Sequence, residues 1–162
     1  MTQALQSFAA SVLLGTTLAA KLQPPPSLTP RDLSSQPPMP PMQSAQVPPL
    51  PGRPEALRKP GKATFPDLAR LHEPRVRGQV LHFFANHELL ALELMALALL
   101  RFPEAPPAFR LGLLHTLGEE QAHLRLYLDR MAALGVQFGD LPLSDYFWNA
   151  MKDMQTPLQF VD

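Results

Sequence analysis

The sequence contains no cysteine. Disulfides, zinc ribbons, thiolate clusters and cysteine nucleophiles are therefore excluded, and any metal ion must be held by oxygen and imidazole ligands. An excess of charge is also missing. Fourteen basic and 14 acidic residues give a formal net charge of zero over 162 residues, about one domain's worth of chain. A broad nucleic-acid footprint needs a clustered surplus of lysine and arginine. The one basic run, Arg53, Arg58, Lys59 and Lys62, is modest and reads as a solubilising loop. No nucleic-acid partner is expected. A basic leader is missing too. SFAASVLLGTTLAA has an apolar middle and small residues at its end, but Met1-Thr2-Gln3 carries no positive charge and Lys21 comes only after the apolar part. The segment reads as a short amphipathic helix with Leu5, Phe8, Val12 and Leu13 on one side. No apolar run reaches membrane-spanning length without charges or polar breaks. The expectation is a cytoplasmic chain with no membrane partner.

Proline, by contrast, is abundant. Fourteen of the 20 prolines fall between Pro24 and Pro66. Each fixes φ and removes a backbone donor, so this stretch is not expected to be helix or central strand. It reads as an extended arm laid over something or as a linker. From about Arg75 the character changes. RVRGQVLHFFANHELLALELMALALLRF is free of proline and rich in good helix formers. Pro103 stops it. Pro106 and Pro107 suit the first turn of a second helix, about Ala108 to Leu134, with Gly135 as its C′ residue. So short a link makes the pair an antiparallel hairpin. LSDYFWNAMKDM reads as a shorter helix with Ser144 as N-cap. Thr156-Pro157 is one more start signal with only five residues after it, which suggests that the chain stops early. Three regions result: a helix in 1–22, a proline-rich extended arm in 23–66, and a helical region in 67–162. The fold class is all-α.

The acidic residues of the two long helices sit in unexpected places. In the second helix the seam Leu113, Leu117, Glu120, Leu124, Tyr127, Met131 and Leu134 is apolar but for Glu120. A buried carboxylate is costly unless it is paired or coordinates a cation. His123 lies three residues on, on the same face, so Glu120 and His123 form an E-x-x-H pair. The first helix repeats the pattern in Leu81, Ala85, Glu88, Leu92, Met95, Leu99 and Phe102. A second stripe, Leu90, Glu93, Leu97 and Leu100, carries Glu93. The first helix is apolar nearly all round, so it should be central. With the turn centred near Glu104 or Ala105, Glu120 lies about 15 residues beyond it, roughly 23 Å along a helix. The level position on the antiparallel partner is near 89. Glu88 is therefore the favoured first-helix ligand. Glu93, more than a turn nearer the link, is either an alternate ligand or a carboxylate bonded to a buried partner. Glu119 reads as solvated, His82, His87 and His115 as satisfied or surface histidines, and Tyr127 as core.

A glutamate facing Glu-x-x-His on an antiparallel helix is half of the ligand pattern of carboxylate-bridged di-metal bundles. Beyond that motif, NHELLALELMALALLRFPEAPPAFRLGLLHTLGEEQAHLRLYLDRMAALG resembles the core of an uncharacterised ferritin-like family, a domain of unknown function found widely in bacteria. LLGTTLAAKLQPPP and PGRPEAL are similar to that family too. The resemblance implies a four-helix ferritin-like fold with a di-iron or di-manganese site, in which Glu88, Glu120 and His123 are ligands. It also implies that a third helix supplies another glutamate and a fourth another E-x-x-H. This chain ends at Asp162, so it reads as the N-terminal part of that fold, a hairpin that is half of a four-helix bundle, completed by a homodimer or truncated. The implied class is an oxidoreductase or oxygenase of unknown substrate. The other class left open is a non-catalytic metal-binding or helix-mediated interaction protein.

Overall fold

The computed structural model describes residues 4–161 apart from 36, 38 and 60. Among the described residues every regular element is a helix or a 3-10 turn. Helix α1 spans Ala4–Leu14, α2 Leu18–Lys21, α3 Pro30–Ser34, α4 Pro74–Arg101, α5 Pro107–Ala133, α6 Tyr146–Met151 and α7 Leu158–Val161. The two long helices have the expected boundaries. Prolines occupy the first turns of both, where the absent N–H costs nothing. Gly135 follows α5 at φ 75°, the left-handed conformation that closes a helix most cheaply in glycine. α7 starts where Thr156-Pro157 signals it, with the Thr156 hydroxyl accepting from the Gln159 N–H at 3.3 Å. At α6 the cap position falls on Asp145 rather than Ser144, although the Ser144 hydroxyl still accepts from the Tyr146 N–H at 3.2 Å.

α4 and α5 run antiparallel. Gly78 packs beside Leu134 and Val136, and Glu88 lies beside Glu120 and His123, so residue numbers rise on one helix as they fall on the other. α4 is long and apolar enough to cross a membrane by length and composition, in spite of Glu88 and Glu93. Here 72% of its apolar 18-residue window is buried inside the protein. α5 covers one side of α4, and α1, α2 and α6 cover others. α1 buries Leu5, Phe8, Val12 and Leu13, the four residues that its periodicity singles out.

The proline-rich segment departs from expectation: besides the 3-10 turns Ser44–Gln46 and Glu55–Leu57 it holds one α-helix. α3 is a helix inside it, because Thr29-Pro30 is an N-cap followed by a first-turn proline. Its cap is reciprocal: Thr29 Oγ1 accepts from the Asp32 N–H at 3.2 Å, and Asp32 Oδ2 accepts from the Thr29 N–H at 2.7 Å. Leu33 and Leu57 from this segment are buried in the core. Proline-rich backbone offers carbonyls and few donors, so donors on helical side chains hold much of it. Arg110 donates to Leu33 O at 3.2 Å, Gln121 to Gln23 O at 2.9 Å, and the Trp148 indole N–H to Pro49 O at 2.8 Å. The Gly52 N–H adds a backbone bond to Leu13 O at 2.9 Å. A Cβ at Gly52 would stand 2.0 Å from Leu14 O, a backbone atom that cannot swing away. Gly52→Ala is accordingly expected to lower stability by about 2–3 kcal/mol through overpacking, read as a fall in the urea midpoint at unchanged slope.

Candidate metal centre

Residues Glu88, Glu120 and His123 meet near the middle of the hairpin. Each offers one ligand atom, and these atoms all lie within 4.8 Å of one another. His123 Nδ1 is 3.0 Å from Glu120 Oε2. The i, i+3 spacing sets these two side by side on one face of α5, and the antiparallel register brings Glu88 to the same level. Glu88, the favoured first-helix ligand of the sequence argument, is thus the carboxylate that joins the E-x-x-H pair. The cluster is more open than the apolar seam implied. The Glu120 side chain is 20% exposed and the His123 side chain 54% exposed, because Glu120 lies at the edge of the buried arc formed by Leu113, Leu117 and Leu124.

Two adjoining carboxylates do not both ionise easily. The Glu88 carboxyl is pushed up to about 7, first by burial and then by its hydrogen bond to Glu120 and that residue's charge. Glu120 is held below the usual carboxylate range by the hydrogen bond from Glu88, with His123 adding to the effect. The His123 imidazole is raised, chiefly by its hydrogen bond to Glu120. Tyr127, half-buried and in hydrogen-bonding reach of Glu88, is raised by burial and by the two carboxylates. The two carboxyls therefore titrate as a pair with one proton between them, and His123 beside them holds its proton more readily than a free imidazole. A divalent cation can take the place of the shared proton.

A family model, described as a protein of unknown function (DUF455), matches residues 12–161. The chain belongs to the DUF455 family. No curated protein and no solved structure matches it. The DUF455 match takes in all three residues of the cluster, and it also takes in a second polar centre that sequence reasoning only half anticipated.

That second centre is Glu93. It does not join Glu88, Glu120 and His123. It is fully buried, and two cations hold it: Lys21 Nζ lies 3.1 Å from Oε1, and Arg53 makes a two-pronged contact at 2.6 and 3.1 Å. Of the two readings open for Glu93, the structure has the carboxylate bonded to a buried partner. Arg53 is correspondingly not part of a solubilising loop; it is 9% exposed and committed to Glu93. Lys21 is fully buried and also donates to Val12 O at 2.5 Å and Leu13 O at 3.1 Å, carbonyls of the last turn of α1 that have no partner within the helix. These cations come from 72 and 40 residues before Glu93, so no local spacing announces them. The only available signal was the need of a core carboxylate for a positive partner.

The remaining residues singled out from the sequence are accounted for in the DUF455 chain. His82 is a satisfied core histidine: its Nε2 accepts from the Gly139 N–H at 3.0 Å, and burial lowers its pKa. His87 bonds Phe83 O through Nδ1 at 3.0 Å. His115 and Glu119 are exposed, and neither belongs to the cluster.

Proposed function

We propose that the protein is a ferritin-like metal carboxylate protein that holds iron or manganese through Glu88, Glu120 and His123. The observation that carries this reading is the convergence of two carboxylates and an imidazole, from two different helices, within 4.8 Å. The donor set fits such an ion. Carboxylates suit hard divalent cations, and imidazole adds affinity for iron. The contrast with Glu93 supports it as well. Glu93 is neutralised by two fixed cations from the protein, whereas among the described residues no lysine or arginine pairs with Glu88 or Glu120, whose neighbours are His123 and Tyr127. Tyr127 beside Glu88 orients that carboxylate. A bound iron or manganese ion would supply redox chemistry toward dioxygen or peroxide, the oxidoreductase or oxygenase class that ferritin-like resemblance implies. The substrate is not specified by any of these residues.

The test is binding of Fe(II), under anaerobic conditions, or of Mn(II) to metal-stripped protein. Wild type is expected to take up about one ion per chain. Glu120→Ala and His123→Ala are expected to fall to background, with circular dichroism unchanged. Retention of full metal content by Glu120→Ala would remove Glu120 from the ligand set and the proposal with it.

A further inference from the structure

We infer that the cavity bounded by α4, α6 and the proline-rich segment is a binding site for a small organic monoanion, a carboxylate head on an apolar body. The cavity is separate from the metal cluster. Leu90, the α4 residue that lines it, stands about 200° around that helix from Glu88. Its volume is about 280 Å³, at the small end of ligand pockets. Leu57, Leu90 and Trp148 line it from the core and give it an apolar wall. Leu50, 52% exposed, extends that wall toward solvent.

Charge supplies the argument for an anion. Arg53 also lines the cavity, and it belongs to a buried cluster whose formal charges do not sum to zero. Lys21 and Arg53 are both cations, and Glu93 is the carboxylate they share. One positive charge is left over, and a buried charge is costly without a counter-ion. Glu93 takes the Nε and Nη2 donors of Arg53, and among the described residues nothing accepts from Nη1. Arg58 lines the cavity beside it and donates through Nε to Arg53 O at 3.0 Å. Both Nη groups of Arg58 are unbonded among the described residues. Burial lowers the Lys21 pKa, and Arg53 and Arg58 add to that lowering against the opposing pull of Glu93. An anion seated between Arg53 and Arg58 offsets the surplus, through the paired N–H···O bonds that guanidinium makes with carboxylate. The exposed Lys59, bonded to Asp140 O, adds a cation at the rim. The exposed Asp145 lines the same rim and opposes a second negative charge. A single surplus charge inside and a carboxylate at the mouth select a monoanion over a dianionic phosphate monoester.

Trp148 is the only tryptophan of the chain, so its fluorescence reports on this cavity. Titration of the metal-stripped full chain with octanoate, followed by Trp148 emission and by calorimetry, tests the site. A saturable emission change at about one octanoate per chain is expected. Octanol, octylamine, acetate and octyl phosphate, which lack the charge, reverse it, lack the body or double the charge, are each expected to bind about tenfold more weakly or worse. Arg58→Glu, at an exposed position outside the buried cluster, is expected to weaken octanoate binding by about tenfold or more, with the ligand-free melting temperature unchanged. Leu50→Asp, on the apolar wall, is expected to do the same. Octanol binding as tightly as octanoate makes the cavity an unselective apolar cleft and overturns the anion site. Tighter binding of octyl phosphate overturns the choice of a monoanion. Octanoate affinity untouched by both variants, or no binding at all, overturns the site itself. The metal is absent throughout, so each of these failures leaves the metal reading standing.

Discussion

Replacing Glu93 by alanine is expected to lower the free energy of unfolding by about 3–5 kcal/mol, the cost of removing one member of a buried ion cluster. The size of the effect comes from what is left behind. Lys21 is fully buried and Arg53 nearly so, and both lose the carboxylate that compensates them. Burial already pulls the Lys21 pKa down, and the Glu93 charge is the main influence holding it up. Without Glu93 the ammonium faces the Arg53 guanidinium in a low-dielectric core. The damage spreads beyond α4. Lys21 ties α2 to the end of α1, and Arg53 ties the proline-rich segment to α4. Chemical denaturation followed by circular dichroism measures the loss. Glu93→Gln should fall between wild type and alanine, because it keeps hydrogen-bonding capacity without the charge. A triple variant with apolar residues of similar volume at positions 21, 53 and 93 should recover most of the stability. A loss below about 1 kcal/mol in Glu93→Ala would mean that the cluster does not hold these segments together. Metal content should be unchanged in a folded Glu93→Ala protein.

The fate of Glu93 also marks the limit of what the sequence reveals. Helix boundaries were legible because proline and glycine act locally: Pro103, Pro107 and Gly135 fix or permit φ, or remove donors, where they stand. The level pairing of Glu88 with Glu120 was legible because a short link fixes the register of a hairpin. Both deductions need information from only a few residues or one turn. Glu93 depends on Lys21, at the end of α2, and on Arg53, whose approach is set by the path of the proline-rich segment. That path has no period to read. α3 was missed for a related reason. The density of proline around it masked the capping box Thr29-Pro30-Arg31-Asp32, a local signal of the kind that located the long helices. The openness of His123 was hidden as well, because a seven-residue seam says which face is apolar but not how far the neighbouring helix reaches across it.

Glu88 is one turn and a residue from Glu93 on the same helix, and the opposite result is expected there. Its carboxyl, raised to about 7 in the folded chain from an ordinary value of 4.5, takes up a proton more readily when folded than when unfolded. The stability from that preference is fully present below about pH 4.5 and is lost as pH rises through 7. Metal-free Glu88→Gln keeps the shape and sheds the titration. Its melting temperature relative to wild type should therefore climb as pH rises from 5 to 8, and comparing the two proteins at each pH cancels the opposing contribution of His82, whose lowered pKa favours the fold at higher pH. With Mn(II) present the order should reverse. Wild type exchanges the shared proton for a cation and gains stability with ligand concentration, while the glutamine variant does not respond. Thermal melts of the two proteins at four pH values, with and without Mn(II), give the whole pattern. A Glu88→Gln protein less stable than wild type at pH 8 without metal would make Glu88 a structural carboxylate like Glu93. The reversal on adding metal is the behaviour expected of a ligand held ready at a cost in stability.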